Sequence, residues 1–190
     1  MRIISGKARG TKLYTLEGEN TRPTLDRVKE SIFNIIQSEI EGAKVLDLFA
    51  GSGAIGLEFL SRGAKRAVLC DKSKEAINII KKNIGKTHME QNTEIFNTDF
   101  ENCLDKLKNE QFDIIYLDPP YATEYILKSL KKIIELKIAK EQSLIIVETD
   151  DEKRILKEIE NIDVEIVDQR KYGRATIIFL SLKKKMPRKG

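Results

Sequence analysis

Residues 45–56 read VLDLFAGSGAIG, and this stretch decides the fold class of the chain. Its first five letters are typical of a buried strand, and the letters that follow carry the spacing G-x-G-x-x-G at Gly51, Gly53 and Gly56, where a helical pattern begins. Glycines at such a junction permit a tight turn and let backbone N–H groups approach a ligand. The stretch therefore predicts an α/β fold with a nucleoside-containing cofactor at this loop.

Three carboxylates near predicted strand ends indicate which cofactor is bound. Asp71 ends a second predicted strand at 67–70, where a carboxylate can accept hydrogen bonds from both hydroxyls of a ribose. Asp47 lies within the first strand and needs partners there, either loop N–H groups or a cationic ligand. Asp99 follows a third predicted strand at 93–97; it can accept from an adenine amino group, or it can serve as a turn or N-cap residue.

Adenosine, ribose and a positively charged amino-acid tail together describe S-adenosylmethionine better than NAD. We therefore predict S-adenosyl-L-methionine as the cofactor. Its predicted binding set consists of the loop, the three carboxylates and their neighbours: Asp47, Phe49, Ala50, Gly51, Gly53, Asp71, Asp99 and Phe100. No metal is expected to take part.

A second stretch, residues 113–121, reads DIIYLDPPY. Its apolar letters predict another buried parallel strand, which ends at Asp118 because two prolines cannot continue a strand. Asp118, the carbonyl of Pro119 and Tyr121 are thereby held at the carboxyl end of that strand, where open α/β sheets bind ligands. A carboxylate and a carbonyl can accept both hydrogens of an NH2 group, and an aromatic ring can stack on a planar base. The alternative is an ordinary strand end with a Pro-Pro turn and a capping Asp.

Both motifs, together with the N-terminal letters, resemble a known family. The letters DLFAGSG at 47–53 and DPPY at 118–121 are similar to those of amino-methylating, S-adenosylmethionine-dependent methyltransferases. Four N-terminal motifs narrow the resemblance to the RsmD family: MRIISG at 1–6, RG at 9–10, RPT at 22–24 and DRVKE at 26–30. Members of this family are bacterial enzymes that methylate the exocyclic N2 of one guanine in 16S rRNA of the small ribosomal subunit. The resemblance runs from Met1 to about Leu182; Asp71 stands where the family often carries Glu, which shortens the reach to the ribose.

The alternation of strand and helix patterns, together with the resemblance, predicts a Rossmann-like class I methyltransferase fold: a seven-stranded, mostly parallel sheet with a terminal antiparallel hairpin, plus a small N-terminal β-hairpin arm. The terminal hairpin is predicted because segments 164–171 and 175–182 face each other across a short turn. Helices are predicted at 25–39, 74–84, 124–136 and 151–160, and a fifth strand at 143–147. The predicted domains are an RNA-contacting arm at 1–24, a methyltransferase domain at 25–182 and a basic tail at 183–190.

The resemblance also implies how the substrate is bound. Tyr121 would stack on a guanine that leaves its stack, while Asp118 and the Pro119 carbonyl hold the two N–H groups and turn the nitrogen lone pair toward the methyl donor. Phosphate contacts are predicted for basic residues near the N-terminus and on the terminal hairpin: Arg9, Arg22, Arg27, Lys29 and Arg174. Alternatively, each of these residues is a solvated surface charge that does not contact RNA. The implied partner is 16S rRNA within an assembling small ribosomal subunit.

The composition is that of a soluble globular protein. The chain has 190 residues, of which 41% are hydrophobic and 34% charged, with a formal net charge of +4. No apolar run approaches a membrane span, the first residues do not read as a signal peptide, and two cysteines are too few for a disulfide framework or a zinc site. We therefore expect a cytoplasmic, monomeric protein with no membrane or DNA partner.

Three functions are compatible with these motifs. The favoured one is an rRNA guanine-N2 methyltransferase. A second is another amino-group methyltransferase, acting on adenine in DNA or RNA or on a protein glutamine; the N-terminal motifs speak against it. A third is an RNA-binding assembly factor that keeps the fold without transferring a methyl group; the intact Asp118 and glycine loop speak against it.

Overall fold

A computed structural model describes residues 1–16, 23–120 and 123–184 of the protein, with the backbone alone for residues 23–25. The strands within these ranges are β1 (Lys44–Asp47), β2 (Arg66–Asp71), β3 (Thr93–Asn97), β4 (Phe112–Leu117), β5 (Ala139–Thr149), β6 (Val164–Tyr172) and β7 (Ala175–Leu182). The helices are α1 (Pro23–Ile35), α2 (Ala54–Ser61), α3 (Lys74–Thr87), α4 (Phe100–Lys106), α5 (Tyr125–Glu135) and α6 (Glu152–Ile159). In this part of the chain all seven strands belong to one sheet, in the order β3-β2-β1-β4-β5-β7-β6.

The sheet is parallel from β3 to β5 and antiparallel at its other edge. β1 pairs with both β2 and β4, and β4 pairs with β5, all in parallel register. β7 runs antiparallel to β5 and to β6, so β6 and β7 form a hairpin. The strand order reverses between β1 and β4, and open α/β sheets bind ligands at the carboxyl ends of strands at such a switch point. The predicted fold class, a seven-stranded mostly parallel sheet with a terminal antiparallel hairpin, is confirmed.

Helices cover both faces of the sheet, and each face has its own apolar core. One core joins α1, α2 and α3 to the sheet, with Ile32, Leu57 and Ile80 as members. The other joins α4, α5 and α6 to the opposite face, with Leu130 and Ile155 as members. Strands that are buried on both faces read as nearly continuous apolar runs, which is why the sequence pattern predicted them.

Element bounds differ from the prediction most clearly at two places. The first helix ends at Ile35 rather than at residue 39, because Ile36 has φ −100° and ψ 16°, outside the helical region, and Gln37–Glu39 form a 3-10 turn instead. The fifth strand begins at Ala139 rather than at residue 143, since Ala139 pairs with Phe112 of β4 before a register shift, after which pairing resumes at Leu144.

The N-terminal segment forms a minimal version of the predicted β-hairpin. An antiparallel bridge joins Arg2 to Lys12, and backbone hydrogen bonds run from Ile3 N to Thr11 O, from Leu13 N to Met1 O and from Gly10 N to Ile3 O. Within residues 1–16 there is no longer strand ladder. The backbone N–H groups of Ile4 and Ser5 donate to the Glu58 carboxylate at 2.8 and 3.0 Å, so they are bonded to α2 rather than to a facing strand. The segment therefore forms a turn that is docked on the first core. The division of domains at residue 24 stays a prediction.

Among the helices of the described residues, none is both long enough and apolar enough to cross a membrane.

Candidate active site

A cavity of about 630 Å³ opens at the carboxyl ends of β1, β2 and β4, at the switch point of the sheet. Residues from both sequence motifs line it. The predicted site residues on its wall are Lys29, Asp47, Phe49, Ala50, Gly51, Asp71, Asp99, Phe100, Asp118 and Pro119. Residues on its wall that received no role from the sequence include Lys72, Tyr116, Tyr125 and Glu148. The two halves of the predicted site therefore share one cavity.

The glycine loop has its shape because side chains are excluded from it. Gly51 and Gly53 have φ of 53° and 78°, a left-handed conformation that other residues rarely adopt. Gly53 is the N-cap of α2 rather than a cavity-lining residue, and a Cβ atom on it would lie 3.2 Å from Ile80. A Cβ atom on Gly56 would lie 2.1 Å from a methyl carbon of Leu69, so this glycine lets α2 pack closely on β2. The third glycine of the pattern thus serves helix packing, and the first two shape the turn.

Asp71 is held in place by the backbone at the end of β2. Its Oδ2 accepts a hydrogen bond from Gly51 N at 2.9 Å, and its Oδ1 accepts one from Ser73 N at 2.8 Å. These two bonds fix the plane of the carboxylate while each oxygen keeps a further lone pair. The half-buried carboxylate is therefore fixed by the backbone and can accept a further hydrogen bond on each oxygen.

Asp47 is a buried carboxylate at the end of β1. Asp47 is 2% exposed, and its Oδ2 accepts one hydrogen bond from Gly56 N at 3.3 Å. Burial raises the pKa of Asp47 from its ordinary value of 3.8 to about 7, and the nearby charge of Asp71 adds to the rise, while the Gly56 N–H opposes it. A carboxylate in this situation is stabilised by a cationic partner in the cavity. Such a partner fits the amino-acid end of S-adenosylmethionine.

Asp99 has the N-cap role that the sequence left open. Its Oδ1 accepts from Asn102 N at 2.9 Å at the start of α4, and its Oδ2 accepts from Asn102 Nδ2 at 2.6 Å. The bond from the Asn102 backbone lowers the pKa of Asp99. A contact between Asp99 and an adenine amino group stays a prediction.

Three aromatic rings line the cavity together with Asp99. The Phe49 and Tyr125 rings are nearly parallel, with centroids 6.1 Å apart, and Phe100 meets the Tyr125 ring at 5.0 Å. Tyr125 comes from the first residue of α5, just after the Asp-Pro-Pro-Tyr motif, and Lys72 lies 5.9 Å from its ring centroid. An aromatic wall of this kind suits a planar base. The position of Tyr125 in the first turn of the helix after the motif is the signal that could have identified it.

Asp118 follows the last residue of β4 and is half-buried on the cavity wall, beside the buried Pro119. Tyr121, the third predicted catalytic residue, lies outside the described residues. A pair that the sequence reading missed lies next to Asp118: the Tyr116 hydroxyl donates to Glu148 Oε2 at 2.7 Å. Glu148 could have been noticed as a carboxylate at the end of the apolar run LIIVE in β5.

The predicted RNA-contacting residues are scattered between surface and core. Arg9, Arg27 and Arg174 are exposed, and Arg22 lies outside the described residues. The prediction for Lys29 requires a correction, because this residue is only 4% exposed. Its ammonium donates to the Arg2 carbonyl oxygen at 2.5 Å and lies 3.2 Å from the Glu58 carboxylate. Burial lowers the pKa of Lys29, and the Glu58 charge opposes that change. The Lys29 ammonium therefore bonds the N-terminal segment to the core instead of facing a phosphate.

The chain is similar to known proteins over most of its length. Residues 1–181 match a family model described as Conserved hypothetical protein 95. The chain is 40% identical over 162 residues to the ribosomal RNA small subunit methyltransferase D of Haemophilus influenzae, which covers 82% of each chain. It is 34% identical over 150 residues to the protein of the same name from Escherichia coli K12, which covers 79% of this chain and 75% of that one. The solved structure of yhhF from Escherichia coli superposes with a TM-score of 0.83 at 26% identity, covering 97% of this chain and 99% of that one.

Proposed function

This chain belongs to the RsmD family, described as Conserved hypothetical protein 95, and we propose that it transfers a methyl group from S-adenosyl-L-methionine to the exocyclic N2 of a guanine in 16S rRNA. The fold and the family are those of S-adenosylmethionine-dependent methyltransferases. The observation that carries the proposal is that one cavity is lined both by the loop with Asp71 and by Asp118 with Pro119. Cofactor and acceptor amine can therefore meet inside it.

The cofactor half of the cavity has a partner for each part of S-adenosylmethionine. Asp71 would accept the ribose hydroxyls, and the backbone of the Gly51 turn would lie against the amino-acid tail. The buried Asp47 would balance the positive charge of that tail. Phe49 and Tyr125 would lie near the adenine ring. When bound, this cofactor supplies an electrophilic methyl group.

The acceptor half has to orient a weak nucleophile, since the lone pair of a guanine amine is delocalised into the ring. The Asp118 carboxylate and the Pro119 carbonyl would accept the two N–H hydrogens and turn the lone pair toward the cofactor half. Asp118 would also stabilise the positive charge that grows on the nitrogen. Tyr121 is proposed to stack on the base after it leaves the RNA stack.

The partner proposed for the enzyme is the assembling small ribosomal subunit in the cytoplasm, with a monomeric enzyme. The relatives from Haemophilus influenzae and Escherichia coli carry the name of a small-subunit rRNA methyltransferase. A formal net charge of +4 on 190 residues gives modest nonspecific attraction to RNA, so a target presented by a folded particle suits this chain better than naked RNA.

The test is transfer of a tritiated methyl group to four substrates: small-subunit particles from cells that lack this protein, protein-free 16S rRNA, duplex DNA and a protein with a methylatable glutamine. We expect the particles to be labelled more than free rRNA, and we expect no label in duplex DNA or in the protein. Mass spectrometry of the labelled nucleosides should identify N2-methylguanosine. Label in N6-methyladenosine or in protein would contradict the proposal.

We expect Asp71→Ala to weaken binding of S-adenosylhomocysteine by about 10- to 150-fold, roughly 1.5–3 kcal/mol, because two charge-assisted hydrogen bonds to the ribose are lost. Isothermal calorimetry measures this directly. Asp71→Asn is the matched control, because it keeps an acceptor for the Gly51 N–H but loses the charge, and its loss should be smaller. Equal affinities of Asp71→Ala and the unchanged protein would show that the ribose is held elsewhere. If the unchanged protein bound NAD and ignored S-adenosylhomocysteine, the proposed cofactor itself would be wrong.

We expect Arg27→Ala to lower affinity for small-subunit particles and to reduce the slope of log affinity against log salt by about 1, because one phosphate contact is removed. Filter binding across a salt series gives both numbers. Lys108→Ala is the control. This exposed lysine precedes β4, so it lies at the amino ends of the parallel strands, whereas the cavity lies at their carboxyl ends. If Arg27→Ala and Lys108→Ala give the same slope, Arg27 makes no phosphate contact.

A further inference from the structure

The pair formed by Tyr116 and Glu148 lies in the wall of the cavity and is not among the residues proposed to hold the cofactor. Tyr116 is 2% exposed, and its hydroxyl donates to Glu148 Oε2 at 2.7 Å. This bond engages one carboxylate oxygen, so Oε1 keeps its capacity to accept. Burial raises the pKa of the Tyr116 hydroxyl and of the Glu148 carboxyl above their ordinary values.

The register of the sheet puts Glu148 next to Asp118. Tyr116 pairs with Ile146 and Leu117 with Val147, in parallel register. The next residues are Asp118, just beyond the end of β4, and Glu148 of β5. Because side chains alternate between the faces of a strand, both carboxylates lie on the sheet face that carries Tyr116. Two acidic side chains therefore stand together on the cavity wall, at the ends of β4 and β5.

Two adjacent carboxylates repel each other unless hydrogen-bond donors lie between them. The Watson–Crick edge of guanine presents such donors in a row, the N1–H and the two hydrogens of the N2 amine. Adenine and 2-aminopurine present an N1 lone pair beside their amine, and a lone pair that faces a half-buried carboxylate is repelled. The pair of carboxylates thus complements guanine and opposes the other two purines.

We propose that Glu148, oriented by Tyr116, accepts the N1–H of the target guanine while Asp118 and the Pro119 carbonyl hold its N2 amine, so that Glu148 determines the specificity for guanine. The proposal rests on the proposed function, guanine-N2 methylation, and adds the contact that selects the base. Glu148 touches the substrate in this arrangement, and Tyr116 is a positioning residue.

The test uses small-subunit particles that are reconstituted with rRNA in which the mapped target guanine is kept, replaced by 2-aminopurine or replaced by inosine. 2-Aminopurine keeps the acceptor amine and has a lone pair in place of the N1–H, whereas inosine lacks the amine and measures background. We expect the unchanged enzyme to prefer guanine over 2-aminopurine by about 100-fold in kcat/KM. In Glu148→Gln the preference should fall below about tenfold, because the amide can donate to the N1 lone pair while its oxygen still accepts from Tyr116.

Two further variants make the outcome decisive. Glu141→Gln changes an exposed glutamate at the other end of the same strand and should keep the preference of the unchanged enzyme. Tyr116→Phe removes the donor to Glu148 and should lower kcat/KM for guanine by about five- to tenfold while sparing 2-aminopurine, which narrows the preference even if Glu148→Gln folds poorly. An undiminished preference in Glu148→Gln or, if that variant is unfolded, in Tyr116→Phe overturns the proposal and leaves the guanine-N2 activity standing. If the unchanged enzyme labels no guanine, the proposed function fails and this proposal fails with it.

Discussion

Asp118→Ala is expected to lower methyl transfer to small-subunit particles by about 10³-fold or more, the range found when an orienting and charge-stabilising group is removed from an active site. Its affinity for S-adenosylhomocysteine should change by less than about twofold, because Asp118 makes no proposed cofactor contact. Asp118 follows β4, whereas Asp47 and Asp71 end β1 and β2. Single-turnover transfer and calorimetry on the same preparation separate chemistry from cofactor binding.

Asp118→Asn is the matched variant for this experiment. The amide keeps one acceptor for an N–H of the guanine amine but loses the negative charge, so we expect an intermediate loss of about 10- to 100-fold. Transfer rates that fall in the order Asp, Asn, Ala would then separate the contribution of the negative charge from that of the hydrogen-bond acceptor. If Asp118→Ala retained turnover within tenfold of the unchanged enzyme, the amine-orienting role would be refuted, and residues 118–120 would be a strand end closed by two prolines.

Those features that the sequence predicted depend on local patterns. The strands of the sheet centre are buried on both faces, so they appear as apolar runs whatever their neighbours are. The glycine loop is equally local, because Gly53 and Gly56 are required by conformation and by contact with the adjoining strand. The position of Asp71 and Asp118 on the cavity wall could be predicted because each lies at the end of such a run.

The features that the sequence did not predict depend on contacts between distant segments. Lys29 looks like a surface charge on α1, and its burial depends on Glu58, which lies on another helix. That same Glu58 accepts the N–H groups of Ile4 and Ser5, which is why the pairing of the N-terminal hairpin stops at Ile3. The bond between Tyr116 and Glu148 depends on the register of β4 with β5, which no single segment encodes.

Asp47→Asn is expected to stabilise the ligand-free protein and to abolish most of its cofactor affinity. The pKa of Asp47 is about 7 in the folded protein and 3.8 ordinarily, so the folded state binds more protons than the unfolded state between those values. The Asp47 contribution to the free energy of unfolding therefore falls as pH rises from about 4 to 7 and stays low above 7. Asparagine removes that penalty and can still accept from Gly56 N, so at pH 8 we expect a gain of about 1–3 kcal/mol.

Cofactor binding should respond in the opposite direction. In the unchanged protein the affinity for S-adenosylhomocysteine should rise as pH passes through about 7, since the ionised Asp47 is the form that balances the amino group of the ligand. Asp47→Asn should bind at least about 100-fold more weakly and show no such rise, because the buried cation loses its counter-charge. Thermal unfolding and calorimetry over the same pH series measure both effects. The role of Asp47 would be refuted if Asp47→Asn were less stable than the unchanged protein at pH 8, or if it kept the pH-dependent rise in affinity. A buried carboxylate that lowers the stability of the ligand-free protein and pairs with the bound cation explains both expected changes together.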